Sequence, residues 1–142
     1  MLRTAVMVGL LTTAAPVAAQ RATSVAVRPS GTATFAGLPS LVEQELAGLI
    51  GVRVAPAARA AFHLRPSITR LVHEGRGGTR MVRCVIAVIV EDRHGAIRLV
   101  LSGSARAAGI HERDELERLA ISGAIRSALR PLAHALLAGA AK

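Results

Sequence analysis

The sequence predicts an α/β fold of the α+β type: one mixed sheet of four or five strands with two helices mainly on one face, in the order β-α-β-β-β-β-α. Three observations predict it. Apolar residues recur at helical spacing in two separate segments, Leu38 to Ile50 and the stretch after His111. Between these segments, long runs alternate with period two and are separated by glycine-rich turns. The apolar side chains are almost all aliphatic. Phe35 and Phe62 are the only aromatics, so a core has to be assembled from Ala, Val, Leu and Ile meeting across strands and helices.

Taken in order, Ser24 to Arg28 reads as a short strand with Val25 and Val27 on one face, followed by a Gly/Ser/Thr-rich link from Pro29 to Gly37. Leu38, Leu41, Val42, Leu46, Leu49 and Ile50 then form one helical stripe, with Glu43, Gln44 and Glu45 opposite. Pro39 suits the first turn of that helix and Gly51 its stop. Val52 to Val54 is a short strand ended by Pro56, and Ala57 to Ala61 is compatible with a single helical turn. From Phe62 to His73, Phe62, Leu64, Ile68 and Val72 face one way and His63, Arg65, Ser67 and Thr69 the other. Pro66 lies inside this run and donates nothing to a ladder, which places the strand at an edge or puts a bulge there.

Glu74 to Gly78 reverses the chain into the strongest strand, Thr79 to Glu91. Val82, Cys84, Ile86, Val88 and Val90 line one face of it, while Val85, Ala87 and Ile89 make the other face apolar as well. Such a strand is covered on both sides, or covered once and turned towards a partner. Asp92 to Gly95 is a tight turn, and Ala96 to Ala107 returns antiparallel with Ile97, Leu99, Leu101, Gly103 and Ala105 inward. The last helix starts near His111 or Glu112 with Glu112, Asp114 and Glu115 in its first turn, where the helix dipole favours acids. Gly123 and neighbouring alanines allow this helix to approach the sheet closely, and Pro131 kinks it or ends its first part.

Ahead of the first strand, residues 1–19 have the form of a secretory signal. A basic start at Arg3 and an apolar run from Ala5 to Leu11 lead to small residues ending at Ala19, with cleavage expected before Gln20. The apolar part is too short to span a bilayer. The mature single domain then comprises a strand and linker at 20–37, the body at 38–138 and a frayed tail at 139–142. Cys84 is the only cysteine and sits mid-strand, so no internal disulfide and no lipid-modified cysteine at the cleavage site are expected. The expected location is periplasmic or secreted, by a signal-peptidase-I type of signal without a lipobox, with no transmembrane segment in the mature form.

The chain carries a formal charge of +9, and seventeen of its eighteen basic residues are arginine. Removing Arg3 with the signal leaves 17 basic against 9 acidic side chains, or +8. The arginine bias fits a GC-rich genome, and it also fits attraction to anionic lipid, lipopolysaccharide or acidic envelope polymers. Export argues against nucleic acid as the partner. Arg65, Arg80, Arg98 and Arg106 fall on three strands and form a candidate anionic-ligand or partner face if their non-core sides align, with Arg83 on one side or the other.

No catalytic residue, cofactor site or metal site is expected. His63 and His73, in one strand, project to the same face about 33 Å apart and cannot share an ion. His94, His111 and His134 fall in a turn, at a helix start and in the last helix, with neither H-x-x-x-H nor paired cysteines present. Ser102 and Ser104 lie within a strand and no G-x-S-x-G occurs. The loop at Gly75 to Gly78 has no lysine and precedes a strand, unlike a phosphate loop.

Three stretches, Ala61 to Leu71, Val82 to Asp92 and Leu101 to Ala105 leading into the helix, make the chain resemble the TolB amino-terminal domain and its relatives, the LpoB-type and CsgG-like envelope proteins. Phe62 stands where many members have tyrosine and Pro66 where they have glycine. The resemblance covers roughly residues 24–138 and implies a noncatalytic envelope adaptor, supplying no catalytic residues. The short segment between Val54 and Phe62 and the missing anchoring cysteine depart from it. The expected function is therefore a noncatalytic, exported binding or adaptor module whose partner is an envelope protein or an anionic envelope polymer or lipid. The alternatives are a small envelope hydrolase built from His63 or His73 with Ser67 or Thr69, and direct binding of anionic lipid or lipopolysaccharide by the sheet-face arginines.

Overall fold

The computed structural model describes residues 22–29, 35, 37–110, 112–132 and 134–136. The signal, its Ala19–Gln20 junction, most of the Pro29–Gly37 link, His111 and the 139–142 tail lie outside the described residues. A five-stranded mixed sheet carries two helices on one face. The strands are β1 (Thr23–Val27), β2 (Val52–Val54), β3 (Phe62–Arg76), β4 (Thr79–Asp92) and β5 (Ile97–Gly109). The helices are α1 (Leu38–Ala47) and α2 (Arg113–Leu129). Spatial order is β2-β1-β3-β4-β5, parallel among β1, β2 and β3 and antiparallel from β3 to β5.

Each predicted element is present, with ends moved by a few residues. α1 begins with Pro39 in its first turn and stops at Ala47, three residues earlier than the apolar stripe suggests; Leu49 and Ile50 belong to the following turn, where Gly51 takes φ +88°. Val42 and Leu46 are fully buried beneath it. The turn between β4 and β5 closes on Asp92, whose Oδ1 accepts the His94 and Ala96 amides at 2.8 and 3.0 Å, and Gly95 supplies φ +83°. α2 ends at Leu129, and beyond Arg130 and Pro131 a further helical turn buries Leu132 and Leu136.

The core is aliphatic and lies between the sheet and the helices. Val82, Cys84, Ile86, Val88 and Val90 of β4 meet Leu116, Ala120, Ile121, Ala124, Ile125 and Ala128 of α2, all essentially inaccessible to solvent. With no large aromatic to fill space, contact requires the helix to descend onto the strands. Gly103 of β5 makes this possible. A methyl group there would lie 2.4 Å from both the Ala124 carbonyl oxygen and the Ala128 amide nitrogen. Gly123 of α2 is the reciprocal gap, its missing Cβ facing Ala105 at 2.9 Å. An exposed ion pair, Arg126 Nη2 to Glu45 Oε1 at 3.1 Å, links the two helices.

β3 departs from its predicted alternation. It is an inner strand only over Phe62 to Leu64, where β1 pairs with it; from Arg65 onwards no described strand lies on that side. Pro66 sits just past the end of β1, so the N–H it lacks falls on the side β1 has vacated, while it stays matched with Val88 of β4. A bulge then falls between Ile68 and Arg70, leaving Thr69 without a register partner. The extra residue inverts the facing of everything after it. Val72, expected inward, is opposite Arg83, while His73 is opposite the buried Val82. His63 and His73 therefore project to opposite faces of the sheet, not to the same one.

Because its contacts are backbone atoms that cannot rotate away, Gly103→Ala is expected to lower unfolding free energy by about 3 kcal/mol, the upper end for overpacking. Gly123→Ala should cost clearly less, since its contact is a methyl group and alanine returns about 1 kcal/mol of helix propensity. Urea unfolding of the two variants measures the difference; equal losses would show that the helix–sheet distance is not set at Gly103.

Candidate functional site

Most polar groups that could do chemistry are engaged in holding the fold together. The loop from Ala55 to Ala61 crosses the sheet end and buries His63, whose Nε2 lies 2.8 Å from the Ala57 carbonyl and donates to it. Glu91, opposite His63 in the ladder and also buried, is met by Arg65 Nε at 3.2 Å. On the other face, His73 Nε2 reaches Glu117 Oε1 of α2 at 2.5 Å, and Arg113 approaches the same oxygen at 3.6 Å. Thr69 donates its hydroxyl to the Val85 carbonyl at 3.1 Å. Four residue rises separate His63 from Ser67, about 13 Å. The structure thus brings neither His63 nor His73 to Ser67 or Thr69.

The Asp92 carboxyl is held below the ordinary carboxylate range, first by the Ala96 amide and also by the His94 amide and nearby cationic groups, against a smaller opposing effect of desolvation. Burial pushes the Cys84 thiol up to about 11. Among the described residues, no group of three or more His, Cys, Asp or Glu side chains is placed to hold a metal ion, and no helix is long and apolar enough to cross a membrane.

The sheet face away from the helices is open among the described residues, and the arginines sort differently on it than sequence alternation suggests. Arg65 and Arg106 lie on this face. Arg80 does not: it alternates with Val82 towards the helix side, where it lines a depression with His73, Arg113 and Leu116. Arg98 is the extra residue at a second irregularity, between the Val90–Leu99 and Glu91–Ile97 pairs, and its Nη1 is drawn to Asp92 at 3.9 Å. The expected band of Arg65, Arg80, Arg98 and Arg106 is therefore not assembled.

A tighter group takes its place. Arg83 and Arg106 are direct cross-strand partners on β4 and β5. Arg70, carried onto the same face by the Thr69 bulge, is matched with Val85, which is in turn matched with Ser104. Arg70, Arg83, Val85, Ser104 and Arg106 line one shallow depression of about 530 Å³. None of the three arginines has an ion-pair partner among the described residues. Arg70 is missed in the sequence because only a bulge puts it there, and the two-apart spacing from Ile68 had implied the core side. Arg65, opposite Ile89, stands about 14 Å from Arg70 and about 20 Å from Arg83 along the strand direction.

No protein-family model matches the chain, and no curated protein matches it. Solved structures share its fold. A minor lipoprotein of Acinetobacter baumannii superposes with a TM-score of 0.58 at 14% identity, covering 79% of this chain and 91% of that one. A chain described as a lipoprotein from Caulobacter crescentus CB15 gives 0.54 at 15% identity, covering 83% and 92%. PelC from Paraburkholderia phytofirmans, solved as a dodecamer, gives 0.53 at 17% identity, covering 80% and 89%. At these identities the likeness establishes a common fold, found in bacterial lipoproteins.

Cys84 is completely buried and its thiol stays protonated well above neutrality. Native protein at pH 8 should resist thiol-specific labelling and gain one equivalent of label in denaturant. Rapid labelling of the folded chain would show that β4 opens far more readily than its packing implies.

Proposed function

We propose that the chain is a noncatalytic, exported module of the bacterial envelope that works by contact through its open sheet face. The observation carrying this reading is β4. It is apolar on both faces, yet helices cover only one of them among the described residues. Val85, Ala87 and Ile89 stay half-buried on the other, beside the largely exposed Val100. A strand of that composition is built for cover on both sides.

Supporting features lie close by. The leader at residues 1–19, with cleavage at Ala19–Gln20, would deliver the domain beyond the cytoplasm. The fold is one found in bacterial lipoproteins, and the resemblance to TolB-, LpoB- and CsgG-type adaptors belongs to the same reading. His63, His73, Glu91, Asp92 and Glu117 serve structural bonds, which favours a binding role over a hydrolytic one. β5 also ends the sheet, leaving one side of a thirteen-residue strand for backbone pairing with another chain. PelC being a dodecamer makes a second copy of this chain one such partner.

Position-specific photo-cross-linking in cells tests the reading. A photoreactive residue replacing Ala87 on the open face should give a discrete adduct in the envelope fraction, whereas one replacing Glu43 on the outer side of α1 should give none. No adduct from Ala87, or the same adduct from both positions, would sink the proposal.

A further inference from the structure

We infer that the open sheet face is a membrane-contact surface, in which Arg70, Arg83 and Arg106 take the phosphate groups of anionic lipid and the neighbouring apolar strip meets the acyl boundary. The inference rests on the contact role proposed above and names the partner of that same face.

The arginine arrangement is costly without a ligand. Arg83 and Arg106 are directly opposed across an antiparallel pair, which brings their Cβ atoms to about 5 Å, and like charges in that relation destabilise a sheet. Arg70 adds a third guanidinium from the diagonal position, on a strand that needs a bulge to present it. No carboxylate among the described residues answers any of them, although the same protein pairs Arg65, Arg113 and Arg126 with acids elsewhere. Three unanswered guanidinium forks around the Ser104 hydroxyl suit phosphate oxygens, which accept two parallel N–H bonds from one arginine.

Shape and surroundings decide which phosphate. The depression is open and shallow, so it takes a group carried on something larger rather than enclosing a small molecule. From Val85 the apolar strip continues through Ala87 to Ile89, about 14 Å along β4, with Val100 directly beside Ile89 on β5. At the far end of that strip Arg65 is already paired with Glu91. An apolar strip with a cluster of unanswered cations at one end fits an interface where charge lies above hydrocarbon. A soluble polyanion would make no use of the strip. Nucleic acid would also want stacking surfaces, and Phe35 and Phe62 both pack against the core instead.

The test is co-sedimentation of the purified full chain with vesicles of phosphatidylglycerol and phosphatidylcholine in equal parts, and with phosphatidylcholine alone. Binding is expected to the mixed vesicles, weakening as salt rises because the charges are exposed. Combining Arg70→Gln, Arg83→Gln and Arg106→Gln should reduce affinity on the order of 100-fold, and Arg106→Gln alone about fivefold. Combining Arg59→Gln, Arg93→Gln and Arg118→Gln makes the same change in net charge elsewhere and should leave most of the binding. Val100→Ser should weaken vesicle binding severalfold.

The leader is common to all these variants, so differences between them report the folded domain. Equal losses from the two triple variants, no loss from the first, or equal binding to phosphatidylcholine alone would overturn the inference. Full displacement by millimolar inorganic phosphate, with Val100→Ser without effect, would mark a free-anion site and overturn the lipid assignment. The first triple variant should melt no lower than the parent, since it removes the opposed charges; a lower melting temperature would make the arginines structural and count against the proposal. Failure of vesicle binding with an Ala87 cross-link to a protein intact would remove the lipid and leave the contact role standing.

Discussion

The rest of the structure depends on how closely α2 lies against β5. Gly103 leaves no room even for a methyl group under Ala124 and Ala128, and Gly123 leaves little room over Ala105. An aliphatic chain almost without aromatics cannot bridge a wide gap between helix and sheet, so it closes the gap instead. Small residues at the contact let α2 reach the larger aliphatic side chains of β4, including Val82, Ile86 and Val88, directly. The same economy explains why, among the described residues, the helices cover only one face of the sheet. Two helices of ten and seventeen residues suffice for a single layer, and the second face of β4 is left to water or to something else.

Most of this was legible in the residue pattern. The period-two runs, the Asp92–Gly95 turn and the two amphipathic stripes gave every element. Gly123 with its alanines pointed to close helix packing. What the pattern could not show was a one-residue event inside β3. Pro66 signalled an edge or a bulge at its own position, but nothing in Ser67-Ile68-Thr69-Arg70 shows that the bulge falls at Thr69. The bulge depends on tertiary pairing: Thr69 drops out of register and bonds the Val85 carbonyl through its hydroxyl. Everything downstream then changes sides, which joins His73 to Glu117 and brings Arg70 beside Arg83.

The same dependence explains the two misplaced arginines. Arg80 is one residue from the face assigned to it, because β4 alternates strictly from Thr79 and its core side is fixed by Val82. Arg98 alternates correctly only if the hairpin is regular, and the slip between Val90 and Glu91 removes that condition. Charge counts survive such errors while charge positions do not. A band inferred from several strands is therefore only as good as the weakest register among them.

Position is what turns a charge excess into a directed property. Of the nine acids, six (Glu43, Glu45, Glu112, Asp114, Glu115 and Glu117) belong to the helix layer, against Arg113, Arg118, Arg126 and Arg130 there. Glu91 is already committed to Arg65 and Asp92 to its turn, and the ninth acid, Glu74, is matched with Met81 near the end of β3. Counting Arg80, which also faces the helices, six acids meet five arginines on that side, whereas Arg70, Arg83 and Arg106 stand together without an acid on the sheet side. A uniformly basic particle is attracted to an anionic surface in any orientation. One with its charges segregated in this way arrives sheet-first, because the field it feels exerts a torque as well as a pull. The bulge at Thr69 and the unanswered Arg83–Arg106 pair both sharpen that polarity at some expense to the sheet, and both lie on the one surface that the helices leave uncovered.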